Sequence, residues 1–410
     1  MLDRMLFRMD PEGALQAGSY WIELYPQDLM ARQLLAQAHA MQGDIEGMIV
    51  QFRALLAMDS TNVQAIQSIA AGFRGQRQYD SALVYYDRLS ELQPSDVQTR
   101  LDIAATHTSL LEFDEARAEL ERARGVAPDD PNVYSQLARL DMRVGRYDDA
   151  AARIEEMSDL ARTPQHRNVV EGVRESYYYD RGQYGPLRAA YLDRVAAISE
   201  FSVPIQGVQQ VLNSEVLLYA ADWGQEAFAL QQLDSLRATV SEPWSYTVEV
   251  PAVWVHLDRE DLESARESLA GLVALNEAFG EAPGRVARHR WVEGRIAWIE
   301  DGDCERALES FREAQELSQG NLTYLAWSAA CLTELERYEE AEADVALLVE
   351  RLPASPKIRV VAARLYAGQG RTEDAVAALE VALAVWAEAD SDFRPAAEAR
   401  ALLEELQAAG

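Results

Sequence analysis

Residues 137–154 read LARLDMRVGRYDDAAARI, and this stretch decides the fold. Leu137-Ala138 on one side and Ala150 with Ile154 on the other have helical spacing, and Gly145-Arg146-Tyr147-Asp148 supplies a turn between them. The pattern predicts two helices folded back on each other. Such a pair cannot bury its apolar stripes alone, so further copies are expected along the chain.

They are present in both directions. Ala14, Met48, Ala82, Ala116 and Ala150 lie 34 residues apart, each followed four residues later by Gly18, Phe52, Tyr86, Leu120 or Ile154. Leu35-Ala36, Ile69-Ala70, Ile103-Ala104 and Leu137-Ala138 keep the same beat in the first helix of each unit, and three residues after each Ala stand His39, Phe73, His107 and Asp141. Pro26, Pro94 and Pro128 recur where one unit passes into the next. The rhythm returns with Ala307, Ala341 and Ala375, followed by Phe311, Val345 and Leu379. A small residue lets paired helices approach, and the bulky residue one turn on fills the space beside it. Stacked pairs then share one continuous core, each touching only its neighbours.

This pattern resembles the tetratricopeptide repeat family. The cleanest matches are Leu137-Ala138 with Gly145–Ala150, and Ala363 with Tyr366, Gly370 and Ala375. Trp291 and Trp298 fall on the family's aromatic slots, while Gly294 and Arg295 depart from its pattern of a large apolar residue followed by a small one. The resemblance implies an all-α solenoid, a right-handed superhelix of helix-turn-helix repeats, with an irregular central section. The expected organisation is an N-terminal array over 1–162 with an incomplete first repeat, irregular aromatic-rich helical repeats over 163–285, a second array over 286–387 and a capping helix over 388–410. In that cap, Pro395 opens a helix with Leu402, Leu403 and Leu406 inward and Glu404 and Glu405 outward.

Between Ala150 and Ala265 the spacing exceeds three units, and between Ala265 and Ala307 it exceeds one by eight residues, which Leu275–Gly284 is expected to hold as a loop. Two degenerate pairs are expected near Tyr177–Ala197 and Val211–Leu236. This region carries Tyr177, Tyr178, Tyr179, Tyr184, Tyr191, Trp223, Trp244, Tyr246 and Trp254. Rings of this kind either fill a junction between arrays or form a ligand pocket, and the packing reading is the plainer one.

Composition narrows the function. A formal charge of -30 repels phosphate backbones and anionic membranes, so nucleic acid is not expected as a partner. No stretch approaches the roughly 18 apolar residues of a membrane span, and Met1–Glu12 is no signal peptide, so the chain as given is expected in the cytoplasm. Between Glu300 and Arg351 stand fourteen acids and four bases, either solvated helix faces or a surface for a basic partner. The nucleotide, hydrolase and zincin motifs are missing. His39, His107 and His256 occupy a repeated packing slot, Cys304 and Cys331 lack ligand spacing, and Asn321-Leu322-Thr323 is a sequon without a supporting signal. No cofactor, metal or catalysis is expected.

In the resembled family the first helices line a concave groove that receives ligands. Carried onto this register, the groove residues are Gln33, Gln37, Gln64, Gln67, Gln98, Asn132, Ser135, Arg139 and Arg143. Primary amides both donate to and accept from a peptide backbone. The slots with which some members clamp a carboxylate read Gln33, Gln37, Ser68, Gln98 and Asp102, so that cationic clamp is missing here. The expected function is a protein-interaction scaffold holding a peptide or partner helix. The alternative is the regulatory or sensor arm of a larger signalling protein, since counting back 34 from Leu35-Ala36 leaves only Leu2–Met9 for the first helix.

Overall fold

The computed structural model describes residues 10–201, 222–237, 246–279, 282–318 and 320–409. The expected stub helix over Leu2–Met9 and the first part of the pair near Val211–Leu236, residues 211–221, lie outside them. The described residues form 21 helices and no strand: α1 (Pro11–Leu24), α2 (Leu29–Met41), α3 (Ile45–Met58), α4 (Val63–Gly75), α5 (Tyr79–Leu92), α6 (Val97–Leu110), α7 (Phe113–Val126), α8 (Pro131–Arg143), α9 (Tyr147–Leu160), α10 (Pro164–Asp180), α11 (Tyr184–Ser199), α12 (Glu226–Arg237), α13 (Tyr246–Asp258), α14 (Leu262–Phe279), α15 (Pro283–Asp301), α16 (Cys304–Leu317), α17 (Leu322–Glu334), α18 (Tyr338–Arg351), α19 (Pro356–Gly368), α20 (Thr372–Val385) and α21 (Arg394–Ala409). This is an all-α solenoid of antiparallel pairs.

Two compact units divide it, Met1–Gln136 and Leu137–Gly410, so residues 137–162 belong to the second. In the first unit the core of α2–α6 is built from Phe52, Leu55, Ile66, Ile69, Tyr86, Leu89 and Ile103 around Ala36, Ala70 and Ala82. In the second, one core runs from Val253 to Leu365. The small-residue slot is fully buried at Ala14, Ala82, Ala116, Ala150, Ala307, Ala341 and Ala375.

Helix starts follow the sequence chemistry. Asp28, Asn62, Asp96 and Asp303 each accept a hydrogen bond from a backbone N–H of the first turn. Asn321 of the sequon does the same for Thr323 at the start of α17. The hairpin turns share a further device: Gly43, Arg77, Leu111 and Gly145, spaced by 34, all have positive φ, as do Gly302, Glu336 and Gly370. The left-handed conformation is free for glycine and costs other residues about 1–2 kcal/mol.

The eight extra residues before Ala307 do not form the expected loop. They lengthen α14 to 18 residues and α15 to 19, where most of the other helices have 13 or 14. Leu275, Asn276 and Glu277 continue the helix, and Pro283 starts the next with a φ already suited to it.

Departures from the repeat pattern are compensated across helix pairs. A Cβ on Gly72 would come within 2.7 Å of the Met48 methyl, so the missing side chain admits the oversized Met48. A Cβ on Gly294 would meet the Phe311 ring at 2.6 Å and the Ala307 carbonyl oxygen at 3.0 Å, so α15 and α16 touch almost backbone to backbone. Arg295, 8% exposed, lies 3.9 Å from the Trp327 ring centroid and pairs with Asp258 at 3.6 Å.

The second unit closes on its own far end. Gly182, in the turn between α10 and α11, accepts a hydrogen bond from the Asp390 amide at 2.9 Å, and the Asp390 carboxylate accepts one from the Tyr184 amide at 2.6 Å. Trp386 donates its Nε1–H to the Asp180 carbonyl at 2.9 Å, and Arg181 pairs with Glu388 at 2.7 Å. Phe393 packs against Trp223 and Trp386 with centroids 4.7 and 5.5 Å away, and all three rings are buried. Tyr184 and Tyr179 lie beside Trp223. These rings of the aromatic stretch thus hold the C-terminal end rather than merely filling a junction. In α21 the buried residues are Ala396 and Ala399, while Leu402, Leu403 and Leu406 are half-buried and Glu404 and Glu405 exposed.

Two stability outcomes follow. Gly72→Ala meets the flexible end of Met48 at 2.7 Å and an Ile45 methyl at 3.2 Å but gains helix propensity, so it costs less than about 1 kcal/mol; Gly294→Ala meets a ring and a carbonyl and loses about 1–3 kcal/mol. Thermal unfolding of both variants checks the contrast, and equal losses would mean that the close approach is not what Gly294 serves. Arg77→Gly relieves a left-handed non-glycine residue, partly offset by a freer unfolded chain, and raises stability by about 0.5–1 kcal/mol, measurable as a Tm shift.

Candidate functional site

The residues expected to line a groove fall into distinct settings. Gln33 on α2 donates from Nε2 to Oε1 of Gln64 on α4 at 2.7 Å, so the amides of successive first helices meet directly. Gln64, Gln67 and Gln98 are exposed and Gln37 is half-buried. Asn132 is exposed, with its side-chain amide turned back to Asp130 at 3.0 Å. Ser135 is only 5% exposed, which removes it from the set: it sits on the core side of α8 with Val133 and Tyr134. Asp102, at one of the clamp slots, is held by Arg74 at 2.8 Å.

The histidines do more than pack. His39 Nδ1 lies 2.8 Å from Asp44, and His107 Nδ1 lies 2.7 Å from Glu112, each bridging the turn to the residue that precedes the next helix. Because a carboxylate only accepts, Nδ1 carries the proton in both pairs. Asp44 also accepts from the Gly47 amide, and these two bonds, the amide first, hold its carboxyl below the usual range. Asp141 with Arg146 at 3.4 Å, and Tyr366 with Arg371 4.4 Å from its ring centroid, place other chemistry at the same two slots.

Arg139 and Arg143, one turn apart on α8, belong to the second unit. Neither makes a hydrogen bond or ion pair with a described residue, whereas Arg146, Arg153, Arg174, Arg181 and Arg194 are all paired. Burial, and then the neighbouring charge of Arg194 or Arg351 respectively, makes their protonated forms costlier. Arg139 lines a cavity of about 350 Å³ with Gly172, Glu175, Ser176, Tyr179, Asp180 and Arg194. Arg194 binds Glu175 at 2.8 Å and Asn168 at 3.2 Å. Ser176 donates to the Gly172 carbonyl at 3.1 Å, and Tyr179 donates to Asp222 at 2.8 Å. Lys357 meets Asp222 at the same distance. Burial raises the Asp180 carboxyl to about 6, against the opposing pull of Lys357 and of the Tyr147 hydroxyl 3.5 Å away. Of these lining residues the sequence had marked only Arg139, and Tyr179 as one aromatic among many; no spacing rule links α8, α10 and α11 around a shared space.

Much of the acidic stretch is already engaged. Glu300 pairs with Arg266, Glu305 and Glu340 with Arg337, Glu313 with Arg290, and Glu342 with Arg371. Glu334 accepts from Trp298 Nε1 at 2.9 Å and from the Cys304 thiol at 3.1 Å. Cys304 and Cys331 are buried free thiols, and burial pushes Cys304 up to about 11.

The Asp180 carboxyl gives a pH-dependent outcome. Its folded value lies above its ordinary 3.8, so its charge costs stability fully above pH about 6 and not at all below about 3.8. Asp180→Asn keeps an acceptor for Tyr147 and removes the charge. Its Tm should exceed the parent's by roughly 2–4 °C at alkaline pH and converge with it near pH 4. A constant difference across that range would dissociate the effect from ionisation.

Comparison with family models agrees with this architecture. Models of the tetratricopeptide repeat match residues 73–140 and 112–171, and others 251–321 and 299–356. No curated protein matches the chain. Among solved structures, MamA from Desulfovibrio magneticus RS-1 aligns at 19% identity over 39% of this chain and 90% of its own, with a TM-score of 0.35. Another MamA crystal structure aligns at 16% identity over 37% and 90%, also at 0.35. Yeast Tom70 aligns at 13% identity over 98% and 93%, at 0.41. With its 34-residue beat, paired helices and buried small-residue slot, the chain belongs to the tetratricopeptide repeat family.

Proposed function

We propose that this protein is an interaction scaffold that receives an extended peptide or a partner helix along the first-helix face of its N-terminal repeats. The carrying observation is the amide row. Gln33 and Gln64 bond to each other across two repeats, while Gln67 and Gln98 keep their amides exposed. Amides in series match the alternating donors and acceptors of a main chain, and they do so without regard to side-chain sequence. The family's fold supports the general role, because its core residues are spent on stacking and its helix faces are left free to vary.

Affinity capture with the full chain, followed by mass spectrometry, supplies candidate partners, and titration calorimetry then measures each directly. Gln37→Glu combined with Gln67→Glu removes two amide donors worth about 0.5–1.5 kcal/mol each, so a partner held on this face binds roughly tenfold more weakly while circular dichroism is unchanged. Retention of full affinity by the double variant would overturn the reading.

A further inference from the structure

The cavity in the second unit contains an unsolved charge. Arg139 is a permanent cation that shares its space with a second guanidinium and has no acceptor among the described residues, in a protein with thirty more acids than bases. Of the two carboxylates lining the cavity, Glu175 is taken by Arg194. A guanidinium partly removed from water beside another of its kind is unfavourable without an anion to share. Arg194, which lines the same cavity, engages Asn168 through Nε and Glu175 through Nη1, which leaves its Nη2 without an acceptor among the described residues.

We propose that this cavity is a carboxylate-binding site, in which Arg139 takes the carboxylate in a two-point contact and Arg194 supports it from the opposite wall. The fork of a guanidinium matches the two oxygens of a carboxylate. Glu175 and Asp180 in the lining disfavour a doubly charged phosphate, whereas one negative charge matches a cation without an acceptor among the described residues. A volume of about 350 Å³ admits a small organic acid or one acidic side chain of a protein partner, and the shared chemistry is the carboxylate. The site's residues belong to the second unit and the amide row's to the first, so either reading can fail without the other.

Asp180 adds a signature. It faces Tyr147 from α9, Lys357 from α19, Arg139 from α8 and Arg194 from α11, with Glu175 and Tyr179 on its own helix. Below pH about 6 its carboxyl is protonated and does not repel a bound anion; above it, the ionised group opposes binding. Affinity for a fully ionised carboxylate therefore falls as pH rises through that value.

The test uses the full chain and two probes: lactate, and a Gly-Ser peptide with one internal Asp and blocked ends. Binding is followed by chemical-shift perturbation near pH 5.5 and near pH 7.5. The expected result is saturable binding of at least one probe, tighter at the lower pH. Arg139→Gln weakens it by about tenfold or more and Arg139→Lys fails to restore it, while Arg306→Gln, an exposed arginine in the acidic stretch, leaves it unchanged. Lactate binding identifies a free acid as sufficient; binding of the peptide alone identifies an acidic side chain of a partner. Binding of neither probe, or equal loss in the Arg139 and Arg306 variants, overturns the proposal. Because Arg139 makes no hydrogen bond or ion pair with a described residue, its variants should fold, and an unchanged Tm checks that they do.

Discussion

Close approach between two helix backbones is the constraint on which the structure rests. At the slot held by Ala82, Ala116, Ala150 and Ala307 nothing larger than a methyl separates paired helices, and these residues are completely buried. Every exception is balanced on the facing helix. Met48 lies against Gly72, and Phe311 with Ala307 needs Gly294. The helices are therefore held to a distance, and side chains on both sides adjust to conserve volume, as expected of an interior packed at crystal-like density. Aromatic substitutions around α15 follow the same rule. Trp254 and Trp291 stack with centroids 3.9 Å apart, and Arg295 lies against Trp327 where a small side chain would otherwise stand.

Turn geometry is the second half of the device. One left-handed residue reverses the chain between paired helices, and the slots five residues apart on either side of it tie the hairpin shut. Histidine with a carboxylate, aspartate with arginine and tyrosine with arginine all serve. The chemistry is exchangeable because the requirement is only an attraction across a fixed span. That requirement explains why a polar side chain recurs at a position otherwise suited to packing.

Closure of the second unit uses a different principle. A solenoid stacks each repeat on the next and leaves its ends far apart in sequence. Here Trp386, Asp390 and Phe393 return to residues 180–184 and 223. The contact unites backbone hydrogen bonds with buried rings, and it brings Lys357 to Tyr179 and Asp222 beside the polar cavity. The cavity is thus bordered by residues that a one-dimensional array would never assemble, and Arg139, without a carboxylate among the described residues, stands out because so many other cations of this acidic chain have found one.

Sequence by itself determined the helices, their pairing and their slots. Local propensity, a 34-residue beat and turn residues are all recorded along the chain, and neighbour-only contacts make such records sufficient for a repeat fold. It also marked Gln33, Gln64 and Arg139 as residues of the first-helix faces. It misplaced Ser135, because a single helical register cannot tell a groove-facing position from one turned slightly to the core, and it read as a loop what α14 and α15 extend as helix, because Gly280, Pro283 and Gly284 dominate the local pattern. Only tertiary structure decided that Gly182 meets Asp390, that Trp223 packs on Phe393 at the C-terminal end, and that Arg139 neighbours Arg194 with no counter-ion of its own among the described residues. Those facts rest on contacts some 55 to 208 residues apart, for which neither periodicity nor propensity carries any record.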